Sequence, residues 1–557
     1  MAESFKTPVE LLDEWARVQG DQIYLRQPKQ RKLHDYSWCQ VHQMAHRLAG
    51  ALYKLGFEKG DKIAILSKNC AEWFITDLAL MVGGFISVPI YPTANVDTIS
   101  YVLDHSGAKG ILVGKLDDGP EQEPAIPAHI IRMGMGYEGI TTQYHWQQLL
   151  EMADPVETHY PDADEVMTLI YTSGSTGNPK GAVMTFGAFS WAADRLTKHL
   201  GGTPKDRVIS YLPLAHITER AYIFGSSIAG GGTVYFAESL DTFVEDVQVA
   251  NPDFFLSVPR LWTLFQKNII AKVGESKLNL LLSIPILNAF IARKIRKQLG
   301  LNNARILGCG SAPVSPALLH WYRRIGMDIT EAWGMTENAA YATLNFPYRA
   351  DKIGSVGAPG IDCEVKIGDD HELLFKSPGL FREYYKQPEA TAEAFDEDGY
   401  FRTGDQAELD DDGYVTITGR VKDNFKTAKG KFVAPVPLER KLAQESRIEL
   451  LCVIGSGQPY PVALVQLSEA ARAETRTEVE IALRSVCRQV SGTMESHSTL
   501  GGILVVDEPW TVENDVLTPT LKIKRHVLER RYGPMIGHMR DDMVVWEDQL
   551  SKAAKAS

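Results

Sequence analysis

An apolar run from Val166 to Tyr171 breaks directly into Thr172-Ser173-Gly174-Ser175-Thr176-Gly177-Asn178-Pro179-Lys180-Gly181, and no other junction constrains the chain as strongly. Glycines let backbone N–H groups turn inward on an anion. The four hydroxyls of Thr172, Ser173, Ser175 and Thr176 add donors, and Lys180 adds a movable positive charge. Such a loop is a polyphosphate cradle. It departs from the Walker A pattern, which needs Ser or Thr after its lysine, because Lys180 is followed by Gly181.

The surrounding pattern agrees with a layered α/β arrangement. Short β-branched runs (Lys62 to Leu66, Gly110 to Val113, Val208 to Tyr211, Phe254 to Val258) alternate with helical stretches such as Trp38 to Leu55 and Ala71 to Val82. After Gly354 the texture changes to short strands with hairpin turns, as in Glu408 to Ile417, where Asp412-Gly413 supplies a positive-φ turn. Beyond Gly419-Arg420 a last stretch mixes strands (Leu450 to Ile454, Val462 to Gln466) with a helix (Thr477 to Val490). The expected fold is α/β: a large N-terminal domain of layered α/β subdomains plus a β-rich region, and a small mobile α+β C-terminal domain. The boundary falls at Thr418 to Asp423, dividing the chain into 1–420 and 421–557.

With 557 residues and a net charge of -12, the chain can bury real cores, and its overall field repels nucleic acid. Anionic ligands must therefore meet local basic groups. The six cysteines show no metal-ligand or C-x-x-C spacing, and the N-terminus lacks the basic start and apolar core of a signal peptide; both fit a reducing, cytoplasmic setting. The longest apolar stretch, Leu278 to Ile291, is broken by Asn279, Pro285 and Asn288 and is shorter than the ~20 residues a spanning helix needs. Its simplest reading is a buried helix with a solvated basic end. With Arg293, Lys294, Arg296 and Lys297 following at once, it could instead lie on a membrane surface as a peripheral contact.

At the Tyr171–Gly181 loop the chain resembles the adenylate-forming superfamily of acyl-CoA synthetases, luciferases and peptide-synthetase adenylation domains, and the resemblance covers nearly the whole chain, from the first helices to the final lysine motif. Several motifs occur in that family's order. The resemblance makes Thr172, Ser173, Gly174, Ser175, Thr176, Gly177 and Lys180 ATP-binding, and makes Gly310, Ser311 and Ala312 of Gly308-Cys309-Gly310-Ser311-Ala312-Pro313 an adenine-side loop. In Glu331-Ala332-Trp333-Gly334-Met335-Thr336-Glu337 the resemblance makes Trp333 and Gly334 nucleotide-binding, with Trp333 offering a stacking face, Thr336 a hydroxyl to the α-phosphate, and Glu337 a hard oxygen ligand to Mg²⁺. Many relatives carry tyrosine where Trp333 stands. Asp405 matches the aspartate that accepts both ribose hydroxyls, a task suited to an acceptor-only carboxylate.

Arg420 corresponds to a residue near the ribose or phosphate, and Lys422 to a hinge between two domain orientations. Lys426 and Gly430 match the side used for thiolation. Near the end, Leu517 to Arg525 resembles the loop of the adenylation lysine. Lys522 takes that role by alignment of the basic cluster, and Lys524 is the alternative, because Leu521 stands where relatives have glycine. Tyr211 to Tyr222 is similar to the long-chain acyl-CoA synthetase branch, with His216 beside the carboxylate end of the pocket. Small residues from Gly225 to Gly230 leave room for a long apolar tail or for close helix packing. Lys429, Lys431, Arg440 and Lys441 are candidates for the CoA 3′-phosphate.

The resemblance implies ATP-dependent conversion of a long-chain fatty acid to an acyl-adenylate, then transfer to CoA with release of AMP and pyrophosphate. The partners would be fatty acid, ATP, Mg²⁺ and CoA. Three alternatives stay open: a carrier-protein acceptor, another fate of the adenylate such as ring closure of a hydroxy acid, and a non-catalytic nucleotide sensor. No G-x-S-x-G nucleophile elbow is present, so a covalent acyl-enzyme is not expected.

Overall fold

The computed structural model describes residues 5–172, 178–495, 498–512, 514–518, 522–537, 539 and 543–549. A seven-stranded sheet forms the floor of the N-terminal part. Its centre is parallel and built of Val166–Thr172, Ile86–Ile90, Lys62–Leu66 and Gly110–Val113. These strands are β-branched and apolar on both faces, so each face needs a cover. Ile63 and Ile65 pack with helices Trp38–Lys54 and Ala71–Val82, while Ala64 and Leu66 pack with helix Val96–Ser106 on the other side.

Strand Lys180–Thr185 pairs antiparallel with Val166–Thr172, with Thr172 opposite Lys180. A fully buried ion pair holds that strand pair to the body: Arg220 Nη2 lies 2.5 Å from Asp77 Oδ2, and Arg220 Nη1 donates to Thr168 Oγ1 at 2.7 Å.

A second sheet runs Phe254–Ser257, Ile306–Cys309 and Ile329–Trp333 in parallel, and ligands in open parallel sheets bind beyond the carboxyl ends of such strands. The Gly310 and Trp333 segments lie at those ends. The β-rich region is an antiparallel sheet of Glu364–Ile367, Glu372–Lys376, Phe401–Leu409 and Val415–Arg420, and Gly413 takes the expected positive φ of 79° in its hairpin turn. After Arg420 a mixed sheet of Ile448–Ile454, Val462–Leu467, Gly502–Val505 and Met543–Trp546 carries helices Pro435–Leu442 and Arg476–Ser491 on one face and Arg525–Tyr532 on the other.

The segment expected as one buried helix differs. It forms two helices, Glu275–Ser283 and Pro285–Gln298, with Pro285 at the start of the second, where its missing N–H costs nothing. Leu278, Leu282, Ala292 and Ile295 pack inward, but Leu280, Ile284, Leu287 and Phe290 face solvent. Among the described residues no helix is long and apolar enough to cross a membrane.

Candidate active site

Hydrogen bonds and close charges connect the Lys180 hairpin with Tyr384 and Glu337, Thr218 with Ser311, Trp333 with Asp405 and Arg420, and Lys522 with Arg420, Asp405, Glu337 and His216. Ser173, Gly174, Ser175, Thr176 and Gly177 lie outside the described residues, but Thr172 and Lys180 on either side of them are half-buried. Edge strand Glu383–Tyr384 pairs with Lys180–Thr185 and lays the Tyr384 ring under Lys180, whose Nζ is 4.7 Å from the ring centroid. The Tyr384 hydroxyl in turn donates to Glu337 Oε1 at 2.7 Å. Sequence reasoning did not single out Tyr384. Its signal, a Tyr-Tyr-Lys run, gains meaning only from the pairing with Lys180–Thr185.

Glu337 sits on a single helical turn, Thr336–Asn338, that is over-determined from three sides. Asn338 Oδ1 accepts the Met335 N–H at 2.8 Å, the Phe381 N–H reaches the Glu337 carbonyl at 2.8 Å, and Ala340 N–H bonds Met335 O at 3.0 Å. The turn is followed by two consecutive left-handed alanines, Ala339 (φ 52°) and Ala340 (φ 57°), a conformation that costs alanine roughly 1 kcal/mol or more and persists where surroundings enforce it. Gly334 is required here, since a Cβ would sit 2.6 Å from the Ala340 carbonyl. Both Thr336 and Glu337 are buried. Burial pushes the Glu337 carboxyl up, the Tyr384 hydroxyl and Arg420 work against that rise, and Asp405 adds to it. A buried hard-oxygen ligand among cations is the donor chemistry that suits Mg²⁺ with phosphates.

Asp405 is buried and pre-oriented by two donors. Trp333 Nε1 donates to Oδ2 at 2.8 Å and Arg420 Nε lies 2.9 Å from Oδ1. Strand register explains the second contact, because Asp405 and Arg420 are directly paired across Phe401–Leu409 and Val415–Arg420. The Asp405 charge holds the Arg420 guanidinium above its ordinary range. Two further acceptor sites on the carboxylate suit a diol.

On the opposite wall, His216 caps the short helix Ile217–Glu219, its Nδ1 accepting the Thr218 N–H at 3.2 Å, which leaves the proton of the neutral ring on Nε2. Burial, then the charge of Lys522, pull the imidazole down to about 3, so the ring is neutral at physiological pH. Thr218 Oγ1 lies 3.4 Å from Ser311 Oγ, and Ser311 holds a left-handed φ of 67° in the Gly310 loop, next to Ala312. Two more residues unmarked by sequence hold this wall. Asn69 bonds Leu212 O at 2.6 Å and the Leu214 N–H at 3.2 Å, and buried Glu219, pushed by burial up to about 8, accepts the Tyr211 N–H at 2.9 Å.

The roof comes from the C-terminal part. Thr518 and Lys522 are tied to each other, with Thr518 N–H to Lys522 O at 2.8 Å and Lys522 N–H to Thr518 Oγ1 at 3.0 Å. The charges of Arg420, Asp405 and Glu337 act on the Lys522 ammonium, and its own charge acts on His216. Lys522 is exposed, yet the protein around its ammonium, followed by Arg420, draws it below the ordinary lysine value. Lys524 turns elsewhere, to Asp515. Lys422 is exposed in the turn Val421–Asp423. Lys426 and Gly430 belong to the hairpin of Phe425–Lys426 and Phe432–Val433, which packs on the 455–460 turn through Gly457 N–H to Lys426 O and Ala428 N–H to Gln458 O, both 2.8 Å. Of the candidates for a CoA phosphate, Lys429 lies over the Tyr460 ring and Lys431 is exposed; Arg440 donates to Ile417 O at 2.9 Å and Lys441 to Thr493 Oγ1 at 2.7 Å.

Comparison with known proteins finds matches over most of the chain. The family model described as AMP-binding enzyme matches residues 12–385, and that of the AMP-binding enzyme C-terminal domain matches residues 422–543. The chain is 28% identical over 576 residues to fatty acyl-CoA synthetase A of Dictyostelium discoideum, covering 90% of this chain and 86% of that one. It is 28% identical over 567 residues to the long-chain-fatty-acid–CoA ligase FadD15 of Mycobacterium tuberculosis, covering 90% and 92%. Two solved structures share the fold. O-succinylbenzoate CoA synthetase of Bacillus subtilis with its acyl-adenylate intermediate has a TM-score of 0.75 at 22% identity, covering 95% of this chain and 99% of that one. The A domain of a carboxylic acid reductase from Segniliparus rugosus, bound to AMP and a co-purified carboxylic acid, has a TM-score of 0.77 at 20% identity, covering 99% and 94%.

Proposed function

Because the chain belongs to the AMP-binding enzyme family, we propose that it activates a long-chain fatty acid with ATP as an acyl-adenylate and passes the acyl group to CoA, releasing AMP and pyrophosphate. Relatives named as long-chain fatty acyl-CoA ligases, matched over most of their length, support the substrate class. The observation that carries the reading is Lys522: a lysine from beyond residue 420 stands in a cleft otherwise built from the first 420 residues, beside Arg420, Asp405, Glu337 and His216. A nucleotide sensor has no use for it.

In this reading the domain boundary lies between Arg420 and Val421, and the orientation seen is the one for adenylation. Attack of a carboxylate on an α-phosphorus brings anions together, so positive charge must be placed before the reaction. Lys522 and Arg420 supply it from above, Lys180 and the phosphate loop from below, and Thr336 donates to the α-phosphate. Trp333 stacks on the adenine, against the Gly310-Ser311-Ala312 edge, and Asp405 takes the ribose hydroxyls. Glu337, steadied by Tyr384, would hold Mg²⁺, which when bound neutralises phosphate charge. Neutral His216 donates from Nε2 to the acid's carboxylate.

Rotation at Lys422 then removes Lys522 and brings the Lys426 to Gly430 hairpin over the adenylate for attack by the thiol. AMP and pyrophosphate release should be measured with straight-chain acids from acetate to stearate, with and without CoA. CoA-dependent AMP release that peaks at long chains supports the proposal. Pyrophosphate release indifferent to CoA would move the acceptor to a carrier protein.

A further inference from the structure

Helices Glu275–Ser283 and Pro285–Gln298 present an apolar strip to solvent on the far side from their packed face. Leu280 is 65% exposed and Phe290 67%, with Ile284 (43%) and Leu287 (39%) between them at spacings of three and four residues. Leu287 and Phe290, three residues apart, share one face of the second helix, and Leu280 on the first helix and Ile284 in the extended link between the two face solvent as well. The strip cannot fold inward, because Leu278, Leu282, Ala292 and Ile295 already occupy the inner face against the Trp262 and Phe265 core. Polar ties lock that orientation: Asn288 Nδ2 donates to Arg324 O at 3.3 Å, Arg324 Nη2 to Asn279 Oδ1 at 2.9 Å, and Arg296 Nη1 to Ile325 O at 2.9 Å.

The charge around the strip is opposite to that of the rest of the molecule. Residues 275–298 carry five cations and one carboxylate, Glu275, in a chain of net charge -12. Arg293, Lys294 and Lys297 are exposed at the end of the strip where Phe290 stands, and Lys277 flanks the other end. Apolar side chains rimmed by lysine and arginine match the layering of a bilayer surface, with acyl chains beneath and anionic headgroups above.

We propose that this face docks the protein peripherally on an anionic lipid bilayer, with Leu280, Ile284, Leu287 and Phe290 inserted at the headgroup boundary and Arg293, Lys294 and Lys297 among the phosphates. The inference does not depend on which acid is activated. It adds a location for the chemistry: the same subdomain carries the Ile306–Cys309 strand, whose end forms the Gly310-Ser311-Ala312 wall of the cleft.

The test is co-sedimentation of the full chain with vesicles of phosphatidylcholine alone and of phosphatidylcholine with about a quarter phosphatidylglycerol, at low and high salt, without nucleotide. The proposal expects binding to the anionic vesicles, weakened by salt, and a loss of about tenfold or more in both Leu287→Glu/Phe290→Glu and Arg293→Glu/Lys294→Glu. Activity on a water-soluble acid should be unchanged, which shows that the variants are folded. Binding that is absent, or equal in wild type and both variants, overturns the proposal. A dimer in wild type that both variants dissociate, without vesicle binding, also overturns it and gives the face to a second copy of the chain.

Discussion

Replacing Lys522 by alanine should separate the two half-reactions. The ammonium stands where Arg420, Asp405, Glu337 and His216 all feel it, so it can reach charge that develops at the α-phosphate. A unit charge about 4 Å from that oxygen, at an effective dielectric of about 20, contributes ~4 kcal/mol, or roughly a thousandfold in rate. The loss should fall on acid-dependent pyrophosphate release alone. AMP release from a supplied acyl-adenylate and CoA should change by less than about threefold, because Lys522 is withdrawn in that step. Lys524→Ala serves as the control: its partner is Asp515 at an exposed site, where such pairs are worth about 0–1 kcal/mol, so both steps should survive. Equal loss of both half-reactions in Lys522→Ala, or a larger effect from Lys524→Ala, would refute the assignment.

Tyr384→Phe removes the hydroxyl that Glu337 accepts at 2.7 Å, and should raise the Mg²⁺ needed for half-maximal rate by about tenfold while leaving the KM for the acid unchanged. Trp333→Phe keeps a stacking ring but takes away the 2.8 Å donor to Asp405, so the KM for ATP should rise several-fold in initial-rate assays. Arg220→Ala strands buried Asp77 without its partner and should cost about 3–5 kcal/mol in denaturant unfolding. Glu219, at about 8, and Glu331, at about 7, both lie above the ordinary value of 4.5, so the folded state binds their protons more tightly than the unfolded state does. Their contribution to stability is full at low pH and is lost as pH rises through those values, and Glu219→Gln should flatten the fall of Tm between about pH 4.5 and 8.

Much of this was legible in the chain itself, for physical reasons. Strands such as Lys62–Leu66, apolar after its first lysine, and Gly110–Val113 end at glycine or polar residues, so their limits are where the pattern puts them. The Asp412-Gly413 turn admits few backbone conformations, and it forms the hairpin that aligns Asp405 with Arg420. What stayed hidden depends on contacts between distant segments. Tyr384 matters only because an edge strand about two hundred residues later pairs with the phosphate hairpin, and Asn69 only because helix Ala71–Val82 begins beside the His216 loop. In residues 275–298 leucines and isoleucines occur on both helix faces, so periodicity could not say which face would be covered; Pro285 marked the break, but not the exposure of Leu280 and Phe290.

The most direct test of the central claim is exchange of labelled pyrophosphate into ATP, with a long-chain acid present and CoA absent. An acyl-adenylate formed reversibly in the Lys522 cleft predicts exchange that requires the acid and disappears in Lys522→Ala. Exchange without acid, or none with acids of any length while ATP is bound, would contradict it.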